Sequence, residues 1–179
     1  MTSRKTKLKP LVNSWHRNNS PEEIQKRIFP ERIITVKMKQ MKILSQTDKL
    51  KSVRDFVAEA ARDFGFDEEA INKISIAVDE ACTNIIKHSY EFAQNGDIGI
   101  EIESGEGKFE IIVSHNGKSF NPDEIKPPDM KEYLSHYRRG GLGMHLMRSL
   151  MDRVEYKLAG GKRSEVHLIK YHPARVQRS

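Results

Sequence analysis

The sequence contains little cysteine and no long apolar run. Its single cysteine, Cys82, excludes an internal disulfide and fits a protein of the reducing cytoplasm. No run of about 18 apolar residues is present, and the basic N-terminus lacks the apolar segment of a secretory signal, so we expect neither a membrane span nor secretion. An internal repeat is also absent. The later histidines, which lack the spacing of a zinc site, are His136, His145, His167 and His172.

Positive charge is concentrated at the start of the chain. Of the net charge of +6 on 179 residues, +5 falls in residues 1–32, which hold eight Lys and Arg against three Glu. A nucleic-acid-binding domain carries its positive charge on a folded surface, so we expect no direct nucleic-acid contact unless the basic arm makes it. The composition predicts a partly disordered extension with a short helix at 1–32, a folded domain at 33–171 and a tail at 172–179.

The first half of the predicted domain reads as one strand followed by two helices. β-branched residues favour a strand at Ile33–Met38. Apolar steps of three and four predict a helix from Leu50 to Phe64 that stops at Gly65. Asp67 is the expected N-cap of the helix that follows.

The second half reads as two hairpins separated by a loop and a helix. Alternating apolar residues predict hairpins at 98–113 and 154–168. Between them lie an irregular segment, 115–141, and a helix, 142–150. The order β-α-α-β-β-loop-α-β-β predicts an α/β fold, a two-layer sandwich with a mixed, mostly antiparallel sheet and helices on one face.

The second helix places a polar stripe beside an apolar face. Glu80, Asn84 and His88 recur at intervals of four and share one side of the helix. A carboxylate and an amide one turn apart can share a ligand, because the carboxylate accepts a proton and the amide oxygen ligates a cation such as Mg²⁺. The alternative is a solvated polar edge, and this helix alone leaves both open. The apolar face consists of Ile71, Ile74, Val78, Ala81, Cys82 and Ile85.

A glycine-rich turn precedes the third helix. The segment from Arg138 to Leu146 reads Arg-Arg-Gly-Gly-Leu-Gly-Met-His-Leu. Backbone N–H groups at a helix N-terminus suit a phosphate, and the arginines add positive charge. Glycines also serve ordinary turns, so this motif indicates a phosphate site only in combination with other features.

Taken in order, three segments resemble the ATP boxes of the bacterial anti-sigma factor serine/threonine kinases. This family belongs to the Bergerat-type, histidine-kinase-like ATPases, which include gyrase and Hsp90. Residues 77–88 resemble the first box, 115–122 the middle box and 140–152 the last box. The resemblance covers roughly residues 33–170 and leaves the N-terminal arm unaccounted for.

The resemblance implies a protein kinase that uses ATP and Mg²⁺. Asn84 would hold Mg²⁺ against the phosphates, and Glu80 would be the general base for a serine or threonine hydroxyl of the partner. The irregular segment would close the site as a lid. The implied partners are an anti-sigma-factor antagonist and a sigma factor, and the protein would be a cytoplasmic homodimer. The other implied nucleotide contacts are His115, Asn116, Gly117, Arg139, Gly140, Gly141, Leu142, Gly143 and Met144.

His115 departs from the middle box of the family, which reads Asp-x-Gly. The aspartate accepts a hydrogen bond from the adenine amino group, whereas an imidazole accepts one only in its neutral form. A wrong donor pattern at that contact would cost about 1–3 kcal/mol, or one to two decades of affinity. The departure leaves a second hypothesis open, a partner-switching protein on the same fold that binds proteins without acting as an enzyme.

Overall fold

The structure, a computed structural model, describes residues 36–119, 142–159 and 163–176. The strands of these residues form one sheet in the order β1-β2-β3-β5-β4, and every pair in it is antiparallel. The strands are β1 (Lys37–Leu44), β2 (Asp97–Gly105), β3 (Lys108–His115), β4 (Arg153–Ala159) and β5 (Arg163–Tyr171). The helices are α1 (Leu50–Phe64), α2 (Glu68–Asn84), α3 (Leu142–Leu150) and the short α4 (Pro173–Val176), with a 3-10 turn at Thr47–Lys49 and a π turn at Ile85–Ser89.

One face of the sheet is covered by the long helices, which confirms the predicted two-layer α/β fold, but the described strands pair only antiparallel and not in the predicted mixed sheet. Side chains alternate between the faces of a strand, so every second residue of β2 and β3 points at the helices. Those residues are nearly or fully buried and form one core with the apolar faces of α1, α2 and α3. They are Ile98, Ile100, Ile102, Phe109, Ile111 and Val113.

The boundary between α1 and α2 follows the predicted stop and cap. Gly65 has a φ of 102°, in the left-handed region that glycine adopts without strain, and its N–H donates to Ala61. The Asp67 carboxylate then accepts a hydrogen bond of 2.8 Å from the N–H of Ala70. These local signals fix where α2 begins and therefore which of its residues face the sheet.

Cys82 lies in the core, as its place on the apolar face of α2 predicts. Its side chain is fully buried. Burial raises the pKa of the thiol to about 12, so the group stays protonated and packs as a small apolar side chain. None of the helices in the described ranges is long and apolar enough to cross a membrane.

The first strand lies further along the chain than predicted. The prediction placed it at Ile33–Met38, but β1 runs from Lys37 to Leu44. Lys39, Met41 and Ile43 alternate towards the helices, and this pattern was missed because lysine and methionine carry no strong strand preference.

Several predictions fall on residues that the structure does not describe. They concern the short helix of the N-terminal arm, Ile33–Thr35, the segment 120–141 and the turn at 160–162. The division of the chain into 1–32, 33–171 and 172–179 also stays a prediction.

Candidate functional site

Glu80 and Asn84 lie one turn apart near the C-terminal end of α2, at the border of its buried face. The neighbours Ala81 and Cys82 are buried, which anchors this part of the helix against the core. Both polar side chains are themselves half-buried. In the part of the chain that the structure describes, neither side chain has a hydrogen bond or an ion pair.

The residue before Glu80 is tied to the neighbouring helix. Arg54 of α1 donates from Nη1 to both carboxylate oxygens of Asp79, at 2.8 and 2.9 Å. The ion pair is partly exposed and adds little to stability, but it joins the two helices beside Glu80. Local sequence patterns do not predict this pair, because its members are 25 residues apart.

Gly143, in the first turn of α3, lies directly against Glu80 and Asn84. A Cβ atom built on Gly143 would be 2.5 Å from Oε2 of Glu80 and 3.2 Å from Nδ2 of Asn84. Only a residue without a side chain allows this approach, since real Cβ atoms do not come so close to other heavy atoms. The structure therefore brings together the carboxylate, the amide and one of the late glycines, residues that the sequence separates by some sixty positions.

The first turn of α3 presents backbone and buries a side chain. The Met144 side chain is buried in the core, and Leu142 is half-buried. A helix N-terminus has N–H groups without intrahelical partners and a positive dipole end, so this turn is suited to an anion. Arg139, Gly140 and Gly141 lie outside the described residues, and their contacts stay predictions.

The helix widens into a π turn just after Asn84. The N–H of Tyr90 donates to Ile85, five residues back, at 3.0 Å. His88 lies within this turn and is exposed. Its place on the polar stripe stays a prediction, and the amphipathic pattern alone carried no signal for the widening.

Tyr90 joins the π turn to the ends of β2 and β3. Its hydroxyl donates to the carbonyl of Asp97 at 2.7 Å and accepts from the N–H of Asn116 at 3.3 Å. Gly117 passes so close that an added Cβ would lie 2.6 Å from the carbonyl oxygen of Ser89. The middle motif is thereby fixed against the end of α2, with Asn116 exposed and Gly117 half-buried.

His115 is the last residue of β3 and is almost completely buried on the helix side of the sheet. Its ring meets the ring of Tyr90 edge-on at 6.0 Å. Only 3% of the residue is exposed, and Nδ1 has no hydrogen-bond partner among the described residues. Burial lowers the pKa of the imidazole from 6.5, so the ring is neutral at pH 7.

Acidification should destabilise the fold through His115. Because the pKa of the buried ring is lowered from 6.5, the unfolded chain binds the proton more tightly. The free energy of unfolding should therefore fall as the pH drops below about 6.5, until the pH passes the lowered pKa of the folded state. Denaturant titrations at several pH values measure this slope, and His115→Asn should flatten it. The exposed His88→Asn is the matched control, and an unchanged slope in His115→Asn would contradict the assignment.

A concavity lies on the face of the sheet that is turned away from the helices. It has a volume of about 480 Å³, and its lining includes Lys42, Asp97, Glu101 and Arg163, with His115 and Asn116 at one end. Its charges are already paired, Lys42 with Asp97 at 2.9 Å and Arg163 with Glu101 at 2.7 Å. Neither Glu80, Asn84 nor Gly143 lines it, so this groove is separate from the site on α2.

Comparisons with known proteins agree with this geometry. Residues 43–170 match the family described as the histidine kinase-like ATPase domain. The chain is 33% identical over 127 residues to the serine-protein kinase RsbW of Bacillus subtilis, covering 68% of this chain and 79% of that protein. It is 34% identical over 126 residues to the RsbW of Halalkalibacterium halodurans, covering 68% of this chain and 76% of the relative.

A solved structure shares the fold. The crystal structure of the RsbU and RsbW domains of a Mycobacterium tuberculosis protein superposes with a TM-score of 0.54 and 16% sequence identity. The match covers 75% of this chain and 32% of that longer chain. At this identity the likeness supports the fold alone.

Proposed function

Because this chain belongs to the histidine kinase-like ATPases, and within them to the RsbW serine-protein kinases, we propose that it phosphorylates an anti-sigma-factor antagonist and sequesters a sigma factor. Membership of the family makes it an ATP-dependent protein kinase of the serine/threonine class. The phosphorylated partner, the sigma factor and the use of Mg²⁺ are the finer parts of the proposal.

One observation carries the proposal, the convergence of Gly143 with Glu80 and Asn84. Glu80 supplies a proton acceptor, Asn84 an oxygen ligand for a hard cation, and Gly143 lies in the first turn of a helix. These three lie within one side-chain length of each other. Phosphoryl transfer needs few other groups, because it depends on positioning and on neutralising the charge of the phosphates.

The described residues fit a nucleotide with its metal ion. The amide oxygen of Asn84 would ligate Mg²⁺, and the first turn of α3 would face the phosphates with its N–H groups. Bound ATP-Mg supplies an electrophilic γ-phosphoryl group whose negative charge the metal ion partly neutralises. The amide oxygen of Asn84 is a suitable ligand for a hard cation, and among the described residues it has no hydrogen-bond partner, which agrees with this role.

Glu80 is the proposed general base. Its carboxylate, which has no partner among the described residues, accepts the proton of the partner's serine or threonine hydroxyl, so that this oxygen bonds to the γ-phosphorus while ADP leaves. Half-burial beside Gly143 restricts where the carboxylate can point and so orients it.

The partners follow from the family rather than from a described surface. We propose that the antagonist presents its serine or threonine to Glu80 and that the sigma factor binds elsewhere on the domain. A cytoplasmic location and a homodimer remain part of the same proposal. The alternative of a non-enzymatic partner-switching protein is not favoured, because the matched relatives are named as kinases.

A nucleotide titration combined with a transfer assay tests the proposal. Calorimetry should show binding of ATP that strengthens when Mg²⁺ is present. Label from γ-labelled ATP should then appear on the antagonist protein encoded in the same genome. Binding without any transfer would favour the non-enzymatic alternative, and absence of binding at millimolar ATP-Mg would contradict the proposed function.

Asn84→Ala should weaken binding of ATP-Mg by about 10- to 100-fold, the size expected for losing one contact to a charged group. Binding of ATP with the metal ion chelated should change much less, because the amide acts through Mg²⁺. Calorimetry with and without EDTA measures both affinities. Asn72→Ala, at an exposed position of the same helix, is the matched control. Equal losses with and without the metal ion would contradict the role of Asn84 as a ligand.

A further inference from the structure

Within the described ranges, three buried polar atoms that lack a hydrogen-bond partner lie where β3 meets the end of α2. They are Nδ1 of His115 and the hydroxyl oxygens of Ser89 and Ser164. Ser164 of β5 is the direct partner of His115 across the strands, so the two side chains share the helix face of the sheet. Ser89 ends the π turn, and its carbonyl accepts from the N–H of Lys118 at 2.8 Å, which holds it beside the residues after His115.

Unpartnered polar atoms in a protein interior require an explanation, because each costs free energy unless a ligand or water pairs with it. His115 and Ser89 are 3% and 5% exposed. One member of the cluster, Ser89, is the last residue of the π turn that follows Asn84. In the proposed binding mode the phosphates lie between Asn84 and Gly143 and the base lies at this end.

The hydrogen-bonding groups of the cluster are poorly suited to selecting one purine base over another. A neutral imidazole carries a donor on one nitrogen and an acceptor on the other, and the two tautomers exchange. Each serine hydroxyl can also donate or accept. A carboxylate at the same position would only accept, and would therefore select a 6-amino group over a 6-oxo group.

Resting on the proposed function, we propose that this site binds purine nucleoside triphosphates with little discrimination at the 6-position, so that 6-oxopurine nucleotides are ligands alongside ATP. His115 and the hydroxyls of Ser89 and Ser164 turn their donors or acceptors to match either base. Asp97, next to the β2 residue that pairs with His115, has its side chain on the other face and paired with Lys42 at 2.9 Å. No fixed acceptor is therefore supplied from that residue.

The experiment compares ATP-Mg with ITP-Mg by calorimetry on the full chain. Inosine differs from adenosine only at the 6-position and the adjacent ring nitrogen, so it isolates the contact that the cluster makes. The two dissociation constants should differ by less than about tenfold, the factor that 1.4 kcal/mol represents. A preference for ATP above about tenfold would overturn the inference and leave the proposed function standing. Failure of both nucleotides to bind would overturn the proposed function as well.

A substitution at His115 gives a second, independent readout. His115→Asp replaces an imidazole, whose nitrogens donate or accept according to the tautomer, with a carboxylate that only accepts. The preference for ATP over ITP should therefore rise by about tenfold or more. His88→Asp makes the same chemical change at an exposed position of the π turn and should leave the ratio unchanged. A ratio that stays the same in folded His115→Asp would contradict the role of His115. The wild-type ratio decides the inference even if that variant does not fold.

Discussion

Glu80→Gln should slow phosphoryl transfer to the partner by about 10²- to 10⁴-fold, the range that general acid–base catalysis contributes. Glutamine has nearly the shape of glutamate but cannot accept the proton of the attacking hydroxyl. The affinity for ATP-Mg should change little, because Asn84 and the first turn of α3 are untouched. The loss should therefore appear in the rate constant and not in the nucleotide affinity.

Single-turnover transfer of γ-phosphate, measured beside a calorimetric titration, separates these two quantities. Glu69→Gln is the matched control, since Glu69 is exposed in the first turn of the same helix, far from the proposed site. It should transfer phosphate at the wild-type rate. A Glu80→Gln protein with wild-type transfer would remove Glu80 from the mechanism, whatever its affinity for nucleotide.

Gly143→Ala should reduce transfer by about 10²-fold, the loss associated with displacing a catalytic group by about 1 Å. The added methyl group would stand 2.5 Å from Oε2 of Glu80, and the end of a flexible side chain gives way more easily than a helix backbone. The variant should therefore fold while its carboxylate points elsewhere. Some loss of ATP-Mg affinity should accompany this, because Nδ2 of Asn84 lies 3.2 Å from the new atom.

Thermal unfolding and the transfer assay together test this prediction. His145→Ala, an exposed change on the same helix, should keep both stability and activity. A Gly143→Ala protein that melts and transfers phosphate like the wild type would show that the close approach has no functional consequence.

Most of the fold could be predicted because its signals are local. Gly65 and Asp67 mark the end of one helix and the start of the next, and the structure confirms both. The alternation of apolar residues places the two hairpins. β1 was placed too early because the residues of this strand that face the helices include Lys39 and Met41 beside Ile43. Lysine and methionine cover the core with long side chains but have no strong strand preference.

The site was predictable in its chemistry and less so in its geometry. The resemblance to known ATP boxes indicated Glu80, Asn84 and Gly143, and the structure brings these three together. The π turn after Asn84 depends on packing at the helix end, so sequence spacing did not predict it. Tyr90 was missed because its role lies in bonds to residues distant in sequence.

The hydroxyls of Ser89 and Ser164, which lack a hydrogen-bond partner among the described residues, were missed for a related reason. Serine is common on surfaces and in turns, so neither residue stands out in the sequence. Pairing of Ser164 with His115 depends on the register of β3 with β5, which the sequence pattern does not determine.

Paramagnetic relaxation by Mn²⁺ bound with ATP tests the central claim most directly. Mn²⁺ takes the oxygen-rich sites that suit Mg²⁺, and it broadens the NMR signals of nearby nuclei. The account predicts that the Gly143 amide and the Asn84 side-chain amide broaden first, before any signal from the groove on the other face of the sheet. Broadening centred on Lys42 and Arg163, with Gly143 and Asn84 unaffected, would contradict it.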